Sequence, residues 1–391
     1  MARVLLVTNG HGEASIADRI AHELRGLDPT LELAHFGLVG AGLSASMADV
    51  GPQRTMPSGG LIAMGNVRNL ARDLAAGLLS LTAAQYRFLR SQRRRFDLAI
   101  AVGDVYALLM ASIVKAPTVF VGTAKSVNFA PYGPFEERVL RRAAACFVRD
   151  AATVERLRER GVPAEPPANV IVDLFADDDD ARAGEAVAGF APAIGLLPGS
   201  RDNAYADARF LLEVVAELAA RRPHLGAVLS IARSVDAGAI ATRAGQDGWS
   251  VVPGSDPIPF SLARGQRVVV RAWRGALGPM LRRVELVAGQ AGTANEAAAA
   301  AGRPVVAFED PADRKTLWYR KRQKGLLGDA TILLPRRFPA AADGVAALLD
   351  DPQRRAAMGN AGRARMGPPG GARRIAERAV AILGERVPCV S

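Results

Sequence analysis

Val4-Leu5-Leu6-Val7-Thr8-Asn9-Gly10-His11-Gly12-Glu13-Ala14-Ser15 runs from an apolar stretch through a glycine-rich turn into a helical pattern over Ser15–Leu24. An apolar run without polar alternation is a strand buried on both faces, as in a parallel sheet whose crossovers are helices. The rhythm repeats outward from this unit. Leu31–Gly37, Asp97–Val102, Thr118–Gly122 and Cys146–Arg149 read as further strands with helical patterns between them. The composition shifts near Pro163–Pro167, and the acidic run Asp177–Asp180 follows. The alternation then restarts with Ile194–Leu197, a helix over Asp207–Arg221, and strands at Ala227–Ile231, Val251–Val252, Val268–Val270, Glu285–Ala288 and Val305–Phe308. The fold class is therefore α/β, with two Rossmann-like, doubly wound parallel-sheet domains facing a central cleft. The expected boundaries are 1–168 and 169–391, with the last helix packing back on the first domain.

A chain of 391 residues supplies two cores of ordinary size. Its net charge of +11 favours anionic partners, and phospholipid fits better than nucleic acid, because 5% aromatic residues is poor material for base stacking. Cys146 and Cys389 stand far apart without a His pair, which argues against a disulfide framework or structural zinc and suits a reducing cytoplasm. The N-terminus enters a strand with no signal-peptide pattern. Leu98–Val121 is broken by Asp104, Lys115 and Pro117, so it reads as strand, helix and strand rather than a membrane span. The segment Met56–Arg95 opens with Pro57-Ser58-Gly59-Gly60, carries Leu70, Leu74, Leu78 and Leu81 on one stripe, and ends in Arg90, Arg93, Arg94 and Arg95. It is either an interfacial helix on an anionic membrane or a core helix with a solvated basic end.

The chemistry belongs in loops at strand ends. Gly10 and Gly12 allow close approach to the backbone, and the helix start behind them favours an anion or a sugar hydroxyl. A dinucleotide fingerprint fails at Ser15, where the third glycine would stand, and at the second strand, which ends without an acidic residue. Asp104 after Leu98–Gly103 is a helix cap or a base, Lys125 faces an anionic acceptor or solvent, and His11 is a second candidate base or a local hydrogen-bonding group. Ile194-Gly195-Leu196-Leu197-Pro198-Gly199-Ser200-Arg201 delivers Ser200 and a guanidinium suited to a diphosphate. Gly289-Gln290-Ala291-Gly292-Thr293-Ala294-Asn295-Glu296 puts amides and a hydroxyl at a helix N-terminus, with Glu296 one turn in as an acceptor for ribose hydroxyls or as part of an ordinary cap.

Taken together, Leu-Leu-Pro-Gly-Ser-Arg, Gly-Thr-Ala-x-x-Glu and Gly12-Glu13-Ala14-Ser15 resemble lipid-A-disaccharide synthase. Asn9–Glu13, Pro57–Gly60, Val102–Asp104, Val121–Ser126 and Arg365–Gly370 extend the likeness to lipid-A-disaccharide synthase-related proteins over nearly the whole chain. The resemblance implies a GT-B fold, a UDP-sugar donor held by the second domain, a lipid-linked acceptor, and no obligatory metal or other cofactor. It points to Asp104 and Arg201 as essential, while His11 in the first loop remains a second candidate base on its own account. Ser200, Arg201, Gly292, Thr293, Asn295 and Glu296 then form the donor site, and Gly12, Glu13, Ser15 and Lys125 the acceptor site. Ile16 and Ala17 replace the synthase's Gly-Asp, and its Ile-Asp-Ala-Pro-Asp loop is reduced to Gly103-Asp104-Val105, changes that fall in the acceptor domain. The expected activity is an inverting hexosyltransferase, cytoplasmic and peripheral on the inner face of the cytoplasmic membrane. Its rivals are a UDP-sugar 2-epimerase of the same fold and a non-catalytic nucleotide-sugar-binding protein at the membrane.

Overall fold

The computed structural model describes residues 1–40, 42, 44–54, 77–175, 182–200 and 203–385. Arg201, the acidic run Asp177–Asp180, Cys389 and residues 56–76 of the leucine-rich segment lie outside them. The chain forms two compact units, Met1–Leu174 with Pro369–Ser391, and Phe175–Pro368. The change of unit thus comes at Leu174 rather than at 168, and the chain rejoins the first unit at Pro369.

The first unit holds a six-stranded sheet of β1 (Arg3–Thr8), β2 (Glu32–Gly37), β3 (Ala48–Asp49), β4 (Leu98–Gly103), β5 (Thr118–Gly122) and β6 (Ala145–Phe147). Its order is β3-β2-β1-β4-β5-β6 and every pairing is parallel. Val4–Val7 and Leu98–Val102 are wholly buried, as strands covered by helices on both faces must be. The order reverses between β1 and β4, so the loops after those two strands open at the switch point where ligands bind in such sheets. The returning helix Gly371–Gly384 packs on the helix His11–Leu27. Its first turn is tied by the buried Asp173, which accepts from the amides of Gly370 and Ala372. A carboxylate at a helix start supplies the partners that those amides otherwise lack.

The second unit repeats the plan with β7 (Ala193–Leu197), β8 (Gly226–Ser230), β9 (Ser250–Ser255), β10 (Ile258–Arg264), β11 (Arg267–Trp273), β12 (Leu286–Gly289), β13 (Val305–Glu309) and β14 (Thr331–Pro335). The order is β14-β13-β12-β7-β8-β11-β10-β9, with the switch point between β7 and β12. This sheet is parallel except along one edge. The edge β9-β10-β11 is an antiparallel meander, joined to the parallel strands through β8 and β11. β9 is exposed along its whole length, which explains why only Val251–Val252 gave an apolar signal there.

The helix Leu78–Ser91 carries the described part of the leucine stripe. Leu78 and Leu81 are buried in the core of the first unit, so for these two the core reading holds. Leu79, Tyr86 and the terminal Arg93, Arg94 and Arg95 are exposed instead. No helix among the described residues is long and apolar enough to cross a membrane.

Candidate functional site

In the first unit β1 delivers Thr8 and Asn9 to the switch point, and the helix starts at His11, earlier than the sequence pattern suggested. Gly12, Glu13 and Ser15 therefore lie within its first turns. Gly10 offers no side-chain cap, so this 17-residue helix presents an uncapped N-terminus. The His11 side chain lies outside the described residues. Thr8 Oγ1 meets His35 Nε2 at 2.8 Å, and His35 Nδ1 meets the partly exposed Asp49, so a polar chain buried at Thr8 and His35 runs across β1, β2 and β3. Neither His35 nor Asp49 was singled out from the sequence. Asn9 is buried, and its Oδ1 has no hydrogen-bond partner. That atom faces Gly103, where an added Cβ would come within 2.3 Å of it, and Gly103 has φ +134, so β4 can end here only on glycine.

Asp104 follows directly and performs the cap. Its Oδ1 accepts from the amides of Tyr106 at 3.0 Å and Ala107 at 3.2 Å, opening the helix Val105–Ala111. Burial nevertheless raises the carboxyl above the ordinary aspartate range, against the pull of those amides. Cap and base are thus compatible in one residue. Thr123, at the end of β5, binds the Gly103 carbonyl through its amide at 3.2 Å and reaches Glu13 through its hydroxyl at 3.5 Å. Lys125 is committed to an ion pair with Glu136 at 2.6 Å, and Glu136 also accepts from the Gly133 amide, so Lys125 is no free anion contact. Arg149, read from the sequence only as the end of a strand, is buried and donates to the Thr123 carbonyl at 2.8 Å. It lines a small cavity with Ile16, Thr123, Asn169 and Ile171.

In the second unit the two expected donor loops meet. The Leu197 carbonyl at the end of β7 accepts from the amides of Gln290 at 2.8 Å and Ala291 at 3.1 Å, just past β12. Gly199 has φ +102 and packs against the Ala291 backbone, while Ser200 is exposed and its carbonyl accepts from Ser234 Oγ at 3.1 Å. Gly292 and exposed Thr293 open the helix Thr293–Ala300 with no side-chain cap. This leaves amide groups directed away from the helix, where a phosphate is favoured. Asn295 is different. It is fully buried, and its Nδ2 donates to the Gly289 carbonyl and to Gln323 Oε1, both at 3.1 Å, so it holds the loop rather than meeting a donor. Glu296 is also buried. Gln323 returns the support by donating to the carbonyls of Ala291 at 2.9 Å and Gly292 at 3.2 Å. The helix Arg314–Leu327, which supplies Gln323 and Arg320, gave no such signal in the sequence.

No family model and no curated protein matches the sequence. Solved structures do match along its length. An S. aureus MnaA–UDP co-structure has a TM-score of 0.63 at 13% identity, covering 98% of this chain and 97% of that chain. UDP-GlcNAc 2-epimerase from Neisseria meningitidis, bound to UDP-GlcNAc, gives 0.56 at 13% identity over 98% and 100%. Acinetobacter baumannii MurG gives 0.59 at 13% identity over 97% and 100%. At such identities the likeness is one of fold, and that fold is GT-B, two Rossmann-like α/β domains in one chain.

Proposed function

We propose that this chain uses a UDP-sugar, holding its diphosphate at Gly292–Thr293 and Arg201, and transfers the hexosyl group with inversion to a lipid-linked acceptor. The observation that carries the donor reading is the junction of the two loops on the Leu197 carbonyl, which sets the Pro198–Ser200 turn beside an uncapped helix start. The similar structures include proteins with UDP and UDP-GlcNAc bound, which supports the same ligand class. In the reaction Asp104 takes the proton of the attacking hydroxyl, with His11 as the alternative base. The bond to the anomeric carbon forms as the bond to UDP breaks, and Arg201 with the Gly292–Thr293 amides stabilises the leaving diphosphate. Ser200 and Glu296 complete the donor site, and Gly12, Glu13 and Ser15 the acceptor side.

A second reading, 2-epimerisation of the UDP-sugar, is favoured by the epimerases among the similar structures. Incubation with UDP-GlcNAc alone separates the two. An epimerase converts part of it to an isomer at constant total UDP-sugar, whereas a transferase releases UDP only when lipid extract is added. Arg201→Ala should weaken UDP binding by roughly 1.5–3 kcal/mol, the scale of a charged hydrogen bond to phosphate. Calorimetry that finds unchanged affinity removes Arg201 from the donor site.

The lipid acceptor sets a further expectation. The exposed Leu79, Tyr86 and Arg93–Arg95 offer an apolar and basic surface to anionic headgroups. Each arginine near such a surface contributes about 1 kcal/mol, screened by salt. Changing Arg93, Arg94 and Arg95 together to serine should reduce cosedimentation with anionic vesicles at low salt and leave UDP binding intact. Wild-type protein that stays in the supernatant would remove the membrane from this proposal.

A further inference from the structure

The second unit buries a guanidinium, that of Arg320, near a carboxylate already bonded to another arginine. Arg320 is 4% exposed, and its Nη2 donates to the Gln290 carbonyl at 2.7 Å. Its Nε and Nη1 have no hydrogen-bond partner. The carboxylate that acts on it electrostatically is Asp207, itself buried and bonded to Arg336. Glu309, at the end of β13, makes no ion pair with Arg320, and its own buried Oε2 is also without a partner. One carboxylate thus serves two guanidinium groups, and it is bonded to the partly exposed Arg336 rather than to the buried Arg320. Beyond the Tyr319 ring, whose centroid is 5.5 Å from its guanidinium carbon, this buried cation has no ion pair among the described residues, and its charge favours a further anion nearby. Burial accordingly pushes the Arg320 guanidinium below its ordinary range, with Asp207 opposing.

Its location says which anion. The Gln290 carbonyl it holds belongs to the loop that leads, two residues on, to the uncapped helix start at Gly292–Thr293. We infer that Arg320 is a positioning residue whose fixed charge, seated behind the Gln290–Thr293 loop, makes that helix start select a diphosphate. This deepens the donor reading and rests on it. The idle nitrogens are closed off from solvent, so Arg320 acts through the loop by its field rather than by a direct bond. A charge fixed in a low-dielectric setting exerts that field without reorganising.

The test is calorimetry with UDP, uridine and inorganic pyrophosphate. Arg320→Met should weaken UDP and pyrophosphate by about tenfold, the scale of one unit charge acting across a loop at an effective dielectric of about 20, and leave uridine unchanged. The loss should persist at high salt, since buried charges are poorly screened. Arg320→Lys keeps the charge and should keep most of the UDP affinity. Asp207→Asn removes the opposing carboxylate and should tighten UDP, a gain that no structural role of Arg320 produces. Equal loss of UDP and uridine in Arg320→Met would make Arg320 a mere anchor of the loop and overturn the inference. So would unchanged pyrophosphate binding in that variant. Should Arg320→Met fail to fold, looser or equal UDP binding by Asp207→Asn overturns it. Wild-type protein that binds pyrophosphate but neither UDP nor uridine defeats the nucleotide reading alone, and the pyrophosphate arm then decides on Arg320. Wild-type protein that binds none of the three defeats both.

Discussion

Asp104→Asn should lower turnover by ~10²–10⁴-fold, the usual loss when a positioned base is removed, with UDP affinity and fold preserved. The structure makes this substitution unusually clean. The aspartate's second duty is to accept from the Tyr106 and Ala107 amides. Asparagine caps a helix as well as aspartate does, and only the charge is lost. Asp104→Ala loses the cap too and should cost about 1 kcal/mol of stability, so the two variants separate base from cap. The pH dependence follows from the raised carboxyl, whose cause is burial. The folded chain holds that proton more tightly than the unfolded chain. Stability therefore falls as pH rises from the ordinary aspartate range through the raised value, and Asp104→Asn should flatten that fall. For catalysis the same shift moves the acid limb of the rate profile upward, because the base exists only above the raised value. A variant that keeps its rate while the stability slope flattens would leave Asp104 as a cap alone.

The sequence made the switch points visible and hid what supports them. β1, β4, β7 and β12 were readable because strands buried on both faces are apolar without interruption. The glycine-led loops behind them stood out for the same reason. β3 is two residues long, β10 is interrupted by Pro259 and Ser261, and β14 offers only three apolar residues between Thr331 and Pro335. The antiparallel meander has a local signal instead, the two-residue turns Asp256-Pro257 and Gly265-Gln266 between its strands. The deeper omission is the helix Arg314–Leu327. Arg320, Arg322, Gln323 and Lys324 look alike as letters, yet Arg320 and Gln323 are buried against the loop after β12, whereas Arg322 and Lys324 are only part-buried and Lys324 bonds the Gly328 and Thr331 carbonyls instead. Polar residues that support a site from behind have the composition of a solvated surface, so only their burial reveals them. The same limit applied to the buried His35. Lys125 and Asn295 show the converse, since residue type suggested a ligand contact and the fold engages each with a protein partner.

That supporting layer yields the second large effect, at a residue that contacts no ligand in any reading above. Gly289→Ala should destabilise the second unit and disable its nucleotide site. Gly289 ends β12, and an alanine Cβ there would lie 2.0 Å from Asn295 Oδ1. Asn295 has no room to retreat. It is fully buried and its Nδ2 is tied to the Gly289 carbonyl and to Gln323, which in turn holds the carbonyls of Ala291 and Gly292. Moving Asn295 therefore moves the helix start at Gly292–Thr293. Overpacking costs about 1–3 kcal/mol and each buried hydrogen bond broken about 1 kcal/mol more. A total of about 3 kcal/mol should lower the melting temperature by roughly 6–12 °C in a domain of this size. UDP affinity should fall by about tenfold or more as the amides lose their alignment. A double-mutant cycle identifies the cause. Asn295→Ser removes the obstructing atom, so Gly289→Ala should cost far less in that background, with a favourable coupling of about 1–3 kcal/mol. Strictly additive effects would mean that the collision is relieved elsewhere, and that the loop does not depend on the close approach of Gly289 and Asn295.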